Sequence, residues 1–335
     1  MRDFSLWCDF IENSFLDNEF VDLINSGTIN GATSNPAIFK NAILKSSFYK
    51  HKIAKFKNEN SKASPKEIYE ALAISDIQKA ADKLALNYFL KDDGFISLEI
   101  DPRLHDSTAL SLGEAKRLYT AIGKENVMIK VPATEASYEV MSELMSEGIN
   151  VNATLIFSYS QAQKCFEALN LGLKAFRKSQ IALSSSKASS IRTPKAVISV
   201  FVSRFDRLLN DRVLHKNELG ITLASFAYAY IHSQNEPNIR TLFASTGVKA
   251  DDLPKDYYIS ELLFKDSVNT APLDAIEAFK GKEFSLKPAP SLEHLHAKLV
   301  EQGISADELE NAAKFLLDDG LKQFCMAFEE ILSAI

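Results

Sequence analysis

The chain is poor in the residues that cross-link or punctuate small proteins. Its 335 residues include 3 cysteines, 12 glycines, 10 prolines and a single tryptophan. Cys8, Cys165 and Cys325 are odd in number, widely spaced and without a CxxC pair. That argues against a disulfide framework or a zinc knuckle and for a reducing compartment. No GxGxxG loop, Walker motif or GxSxG elbow occurs, so the common nucleotide-binding and serine-hydrolase signatures are missing. The histidines at 51, 105, 215, 232, 294 and 296 show no HExxH or other ligand spacing, and no metal site is expected. No apolar run approaches the roughly 18 residues of a membrane span. The N-terminus, Met1-Arg2-Asp3-Phe4, carries charges where a signal peptide needs an apolar stretch. A strong charge of one sign is missing too, since 38 Lys and Arg against 44 Asp and Glu leave −6. A nucleic-acid binder would usually show a basic face. A phosphorylated metabolite needs only a local cluster of positive groups. The expectation is a cytoplasmic protein that meets neither nucleic acid nor membrane.

What is present is ordinary globular composition, 46% hydrophobic and 24% charged, enough for a substantial core. Strand-like runs fall at 5–9, 29–34, 95–101, 127–132, 150–156, 196–202, 241–245 and 267–270. Helical stretches lie between them. Ser64-Pro65-Lys66-Glu67 is a capping box with proline at the first helical position. Gly123 and Gly148 follow predicted helices over 108–122 and 135–147, where glycine suits a left-handed cap. Ser305 opens a last helix running to about 332. Residues 36–94 separate two strands by far more than one helix and read as a helical insertion. Residues 178–195 are Ser-rich and polar and read as a surface loop.

Side chains alternate faces along a strand, so parity can be read directly. Leu98 and Ile100 oppose Ser97, Glu99 and Asp101. Ile129 and Val131 oppose Met128 and Lys130. Val151, Ala153 and Leu155 oppose Asn150, Asn152 and Thr154. Leu6 and Cys8 oppose Trp7 and Asp9, while Gly31, Thr33 and Asn35 share one parity, and Ser199 falls between Val197 and Phe201. A doubly wound sheet, covered on both faces, should be apolar throughout. An antiparallel sheet with one wet face would alternate, but the intervening helices argue against it. A closed α/β barrel of the (β/α)8 (TIM) type, with additional helices at about 291–332, explains one apolar face and one polar face. Its active site would sit at the C-terminal ends of the strands. We therefore read residues 1–335 as one barrel domain.

Lys130 stands alone among apolar neighbours in Val-Met-Ile-Lys-Val-Pro. Lysine is almost never fully buried unless paired, so it is either an ion-paired strand lysine or a functional amine. An amine shielded from water can act as a nucleophile toward a carbonyl. With carboxylates and amides at the same parity on neighbouring strands, a Schiff-base role is preferred. Asp9 and Glu99 are acid/base candidates or structural acceptors. Asp101, followed by Pro102-Arg103, reads as an ion pair, and a metal held by Asp9, Glu99 and Asp101 is a weaker reading. Asn35 before Pro36 suits a helix N-cap or an amide that binds a substrate hydroxyl.

Gly31-Ala-Thr-Ser-Asn35-Pro36, Ser97-Leu-Glu99-Ile-Asp101-Pro-Arg103-Leu, Ile129-Lys130-Val-Pro-Ala-Thr134, Gly148-Ile-Asn-Val-Asn152-Ala-Thr154-Leu and Ser199-Val-Phe-Val-Ser-Arg204 occur in that order. Together they resemble the motifs of the transaldolase family, and Ala244-Ser245-Thr246-Gly247 and Thr270-Ala271-Pro272 extend the match. Length and insertion look like the longer bacterial branch. The resemblance implies a cofactor-free (β/α)8 enzyme of pentose phosphate chemistry. It would move a dihydroxyacetone unit between sugar phosphates, from sedoheptulose 7-phosphate to glyceraldehyde 3-phosphate and back, as a monomer or a homodimer. Lys130 matches the Schiff-base lysine and Asp9 the acid/base at the C4 hydroxyl. Glu99 and Thr154 match the pair holding the water of carbinolamine formation and loss. Asn35 and Asn152 match amides on the dihydroxyacetone hydroxyls, and Ser199 and Arg204 match phosphate-site positions. The shorter branch has a second phosphate-binding arginine just after the serine matched by Ser245. Here Lys249 would replace it, as a point charge rather than a fork. The rivals are a Schiff-base aldolase using free dihydroxyacetone, a sugar-phosphate binder without turnover, and a metal-dependent barrel hydrolase. A pure binder has no need to bury an amine opposite two carboxylates.

Overall fold

In the computed structural model, which describes residues 3–184 and 192–335, eight strands close into a parallel barrel in sequence order. They are β1 (Phe4–Cys8), β2 (Gly31–Thr33), β3 (Ile96–Glu99), β4 (Val127–Pro132), β5 (Asn150–Ile156), β6 (Ala196–Phe201), β7 (Ile239–Ala244) and β8 (Ser267–Ala271). β8 returns to pair with β1, Trp7 opposite Thr270. The (β/α)8 architecture expected from strand parity is the one found.

Parity sorts the core into two layers. Leu6, Cys8, Leu98, Ile100, Ile129, Val131, Val151 and Ala153 pack outward against the helices. Trp7, Phe95, Met128, Val197, Leu242 and Val268 fill the lower lumen. At its base the Trp7 indole N–H donates to Asp93 Oδ2 at 3.0 Å, and Arg240 pairs with the other Asp93 oxygen at 2.5 Å. Trp7 lies so close to β2 that a Cβ on Gly31 would come within 2.5 Å of the indole. No side chain fits at position 31, which is a packing reason for glycine there.

The insertion between β2 and β3 is helical, as read: Pro36–Lys45, Ser47–Glu59, Pro65–Lys83 and Ala85–Phe89. The Ser64 capping box is formed, and Ser305 forms a second one at the start of the last helix, Ala306–Ala334. That helix joins the inner layer through Ala312, Leu316, Leu321 and Phe324 and the outer layer through Phe328 and Ile331.

Two local expectations are corrected. The helix after β5, Tyr159–Ser184, runs well into the segment read as a surface loop. Gln180 and Ala182 favour helix, and backbone hydrogen bonds continue it although most side chains from Arg177 to Ala182 are exposed. Residues 185–191 of that segment lie outside the described residues. Second, Leu155 does not share the outer face of Val151 and Ala153. The β5–β6 register slips between Ala153 and Ile156, and Leu155 takes φ 58°. The extra residue turns its side chain into the inner layer beside Phe157. A left-handed leucine is strained, so the surrounding packing must hold it.

No described helix is long and apolar enough to cross a membrane.

Candidate active site

The upper lumen, toward the C-terminal ends of the strands, is polar. Register puts Glu99 of β3 beside Lys130 of β4, and Lys130 beside Asn152 of β5. Lys130 and Glu99 are each 6% exposed. The Lys130 Nζ stands 3.6 Å from Glu99 Oε2 and donates to the Ser34 carbonyl at 3.1 Å. Both Glu99 oxygens and Thr154 Oγ1 are buried without a hydrogen-bond partner in the protein, as suits groups that serve a small polar molecule rather than the fold. Burial pushes the Glu99 carboxyl up to about 7; Lys130 pulls it down and Asp9 adds to the rise.

Asp9 lies just past β1, where its amide donates to the Ala271 carbonyl. Its Oδ1 accepts from the Thr33 hydroxyl at 2.7 Å, and Thr33 Oγ1 is 2.7 Å from Thr270 Oγ1. A hydroxyl has one proton, so with Thr33 donating to Asp9, Thr270 must donate to Thr33. This chain fixes one carboxylate oxygen and leaves Oδ2 for another partner. Burial raises the Asp9 pKa; Lys130 and the Thr33 hydroxyl oppose the rise. Thr33 carried its parity and a place in a motif in the sequence, and Thr270 only a motif match; neither was singled out for a role.

The amides divide into two kinds. Asn152, fully buried, donates through Nδ2 to Ser97 Oγ at 2.9 Å and accepts from Ser199 Oγ at 2.6 Å. It is locked in orientation from both ends, with its second amide hydrogen remaining. Asn35 caps the helix Pro36–Lys45, its Oδ1 accepting from the Ile38 amide at 3.0 Å. The cap uses the acceptor and leaves the amide donors for a ligand, so the two readings of Asn35 are compatible.

A cavity of about 180 Å³ is lined by Asp9, Asn35, Lys130, Ser199, Arg204 and Ser245 among others, while Glu99, Asn152 and Thr154 lie outside its lining. Arg204 lies in the first turn of the helix Ser203–Leu209 that follows β6. Its guanidinium lies 5.2 Å from the Phe201 ring, with Nη1 buried and unpartnered. Burial and the neighbouring Arg207 lower its pKa, with Asp319 opposing. A cation held among rings with a free donor suits an anionic ligand. Ser245, at φ 56°, is 3.0 Å from Ser203 through their hydroxyls, which ties the segment after β7 to the start of the helix after β6. Lys249 is exposed and does not line the cavity.

Asp101 is not part of this set. Arg103 and Lys66 grip its carboxylate at 2.7 and 2.9 Å and hold its pKa down, so its role is the ion pair. Among the described residues no cluster of three His, Cys, Asp or Glu side chains could hold a metal. Gln323 and Phe324 also line the cavity. Nothing local in the sequence marked them, because an amphipathic helix shows only that one face is buried.

The site thus brings together a buried amine 3.6 Å from the Glu99 carboxylate and a cavity that this amine shares with Asp9, Asn35 and Arg204. The family model described as Transaldolase/Fructose-6-phosphate aldolase matches residues 6–335. The chain belongs to that family. A relative from Campylobacter jejuni (strain RM1221) named Transaldolase is 68% identical over 335 residues, the full length of both chains. One from Helicobacter pylori (strain ATCC 700392 / 26695), also named Transaldolase, is 45% identical over 340 residues, again covering both in full. The sequence motifs read as those of a transaldolase therefore placed the chain in the right family of enzymes.

Proposed function

We propose that the protein transfers a dihydroxyacetone unit between sugar phosphates through a Schiff base on Lys130. The observation that carries the reading is the Lys130 amine, buried in the lumen 3.6 Å from Glu99 and open to the cavity that Asp9 shares. The amine attacks the ketose C2 carbonyl. Glu99, with a pKa near neutrality, and Thr154 handle the proton and water of carbinolamine formation and loss. Asp9 takes the C4 hydroxyl proton, the C3–C4 bond breaks, and an aldose phosphate leaves. Asn35 and Asn152 hold the hydroxyls of the remaining enamine, oriented for an incoming aldehyde. Asp9 then returns its proton to the new hydroxyl. Arg204, with Ser199 and Ser245 nearby, takes the phosphate; Lys249 is left out of this site. Sedoheptulose 7-phosphate and fructose 6-phosphate are the donors; glyceraldehyde 3-phosphate and erythrose 4-phosphate are the acceptors.

Fructose 6-phosphate alone should give a burst of at most about one equivalent of glyceraldehyde 3-phosphate per site, because the enamine then waits for an acceptor. Adding erythrose 4-phosphate should start turnover to sedoheptulose 7-phosphate. Steady release of dihydroxyacetone as fast as transfer would make the protein an aldolase instead.

Arg204→Ala should cost ~2–4 kcal/mol in kcat/KM for phosphorylated donors, as loss of a buried charged contact does. Unphosphorylated fructose should be little affected. Equal losses on both donors would remove Arg204 from the phosphate site.

A further inference from the structure

We propose that Phe324 is a specificity-determining residue that keeps water from the Lys130 enamine and so makes the enzyme a transferase rather than an aldolase. The proposal rests on the Schiff-base reading of Lys130 given above. The Phe324 ring centroid stands 6.0 Å from Lys130 Nζ. The ring is 5% exposed and lines the same cavity as Lys130, Asp9 and Asn35. It reaches that place from a distant part of the chain, on the helix Ala306–Ala334.

The helix seats closely because of Gly320, one turn before Phe324. A Cβ there would lie 3.0 Å from Leu155 Cδ2 and 3.2 Å from Arg204 Nη1. The Leu155 side chain occupies that spot only because of the left-handed kink in β5. A strained strand residue and a side-chain-free helix position thus meet where the helix crosses the barrel mouth. Such strain persists only where the surrounding packing enforces it, and here that packing is the seat of the helix carrying Phe324.

The chemistry gives the ring a task. After the aldose leaves, release of dihydroxyacetone takes two steps. A proton adds to the terminal enamine carbon, giving the iminium. Water then adds to the iminium carbon, the C–N bond breaks, and the Lys130 amine is regenerated. The proton is returned when the neutral amine is freed, so the net consumption is one water. That hydration also frees a product ketose, and the step that commits the enamine to dihydroxyacetone is protonation of its carbon. An apolar ring on this side of the enamine occupies space that a proton-donating water would otherwise fill, while the water held by Glu99 and Thr154 still serves the Schiff base. Its π face also attracts the cationic iminium, so exclusion of water does not penalise the charge that forms during transfer.

The test is a partition ratio, free dihydroxyacetone released per unit transferred, measured with fructose 6-phosphate and erythrose 4-phosphate. Phe324→Ala should raise this ratio tenfold or more, and Phe324→Leu, which keeps most of the apolar volume, should raise it several-fold. Borohydride should still trap an adduct at Lys130 in both. The ratio compares two fates of one intermediate, so a lower fraction of folded enzyme does not change it. An unchanged ratio in Phe324→Ala overturns the proposal; if that variant does not fold, an unchanged ratio in Phe324→Leu does so. Absence of any Lys130 adduct in the unaltered enzyme would instead overturn the Schiff-base reading itself.

Discussion

Lys130→Met is expected to give a folded protein without turnover and without a borohydride adduct. Methionine keeps the length and apolar stem of the lysine while removing the nucleophile. The usual objection to breaking a buried ion pair is the charge left behind, worth about 3–5 kcal/mol. Here the remaining partner can neutralise itself. Glu99 already sits near a pKa of about 7, held down by Lys130. With the amine gone its carboxyl rises further and takes up a proton, so the lumen holds a neutral acid instead of a lone charge. A melting curve close to that of the unaltered protein at neutral pH should show this. Peptide mass mapping after borohydride and fructose 6-phosphate should place a reduced three-carbon unit on Lys130 and none in the variant. A label on another lysine would overturn the assignment.

Asp9→Asn is expected to stop carbon–carbon cleavage while sparing Schiff-base formation. The amide is close in shape, and its oxygen can still accept from the Thr33 hydroxyl that now reaches Asp9 at 2.7 Å. It cannot take the C4 hydroxyl proton. Losing a positioned base costs ~10²–10⁴-fold. That is about 3–5 kcal/mol in the barrel's chemical step. The distinguishing readout is the adduct trapped by borohydride: the whole six-carbon ketose phosphate on Lys130 instead of the three-carbon fragment. Cleavage at the unaltered rate would assign the proton to another group. The unaltered enzyme should show a matching pH dependence. Asp9 works as a base only when ionised, and burial raises its pKa. Therefore kcat/KM should climb with pH along a limb lying above the ordinary aspartate range, and it should fall as acid protonates Asp9.

How far the sequence reaches differs from residue to residue. The alternation of Ser97, Glu99 and Lys130 with apolar neighbours was legible because strand parity is a property of the local backbone, and it carried the barrel and most of the polar lumen. The capping box at Ser64 and the helix start at Ser305 were legible for the same reason, since each signal lies within four consecutive residues. The double use of Asn35, cap and cavity wall, was half legible: the cap is local, the cavity is not. Leu155 was misplaced because a register slip between β5 and β6 depends on the partner strand, and alternation read along one strand cannot register it. The Thr270–Thr33–Asp9 chain joins β8, β2 and the residue just past β1, with 237 positions separating its two threonines. Gln323 and Phe324 come from a helix whose periodicity announces a buried face without naming what it covers.

The sequence by itself determined the strand and helix order, the inward parity of Lys130, Glu99, Asn152 and Ser199, and the family, because these depend on local backbone geometry and on motifs. Only the tertiary structure decided that Lys130 pairs with Glu99, that Lys66 joins Arg103 on Asp101, that Lys249 stands outside the cavity, and that Phe324 faces the amine. Each of these is a distance between residues far apart in the chain, set by closure of the barrel and by the seat of the last helix on Leu155.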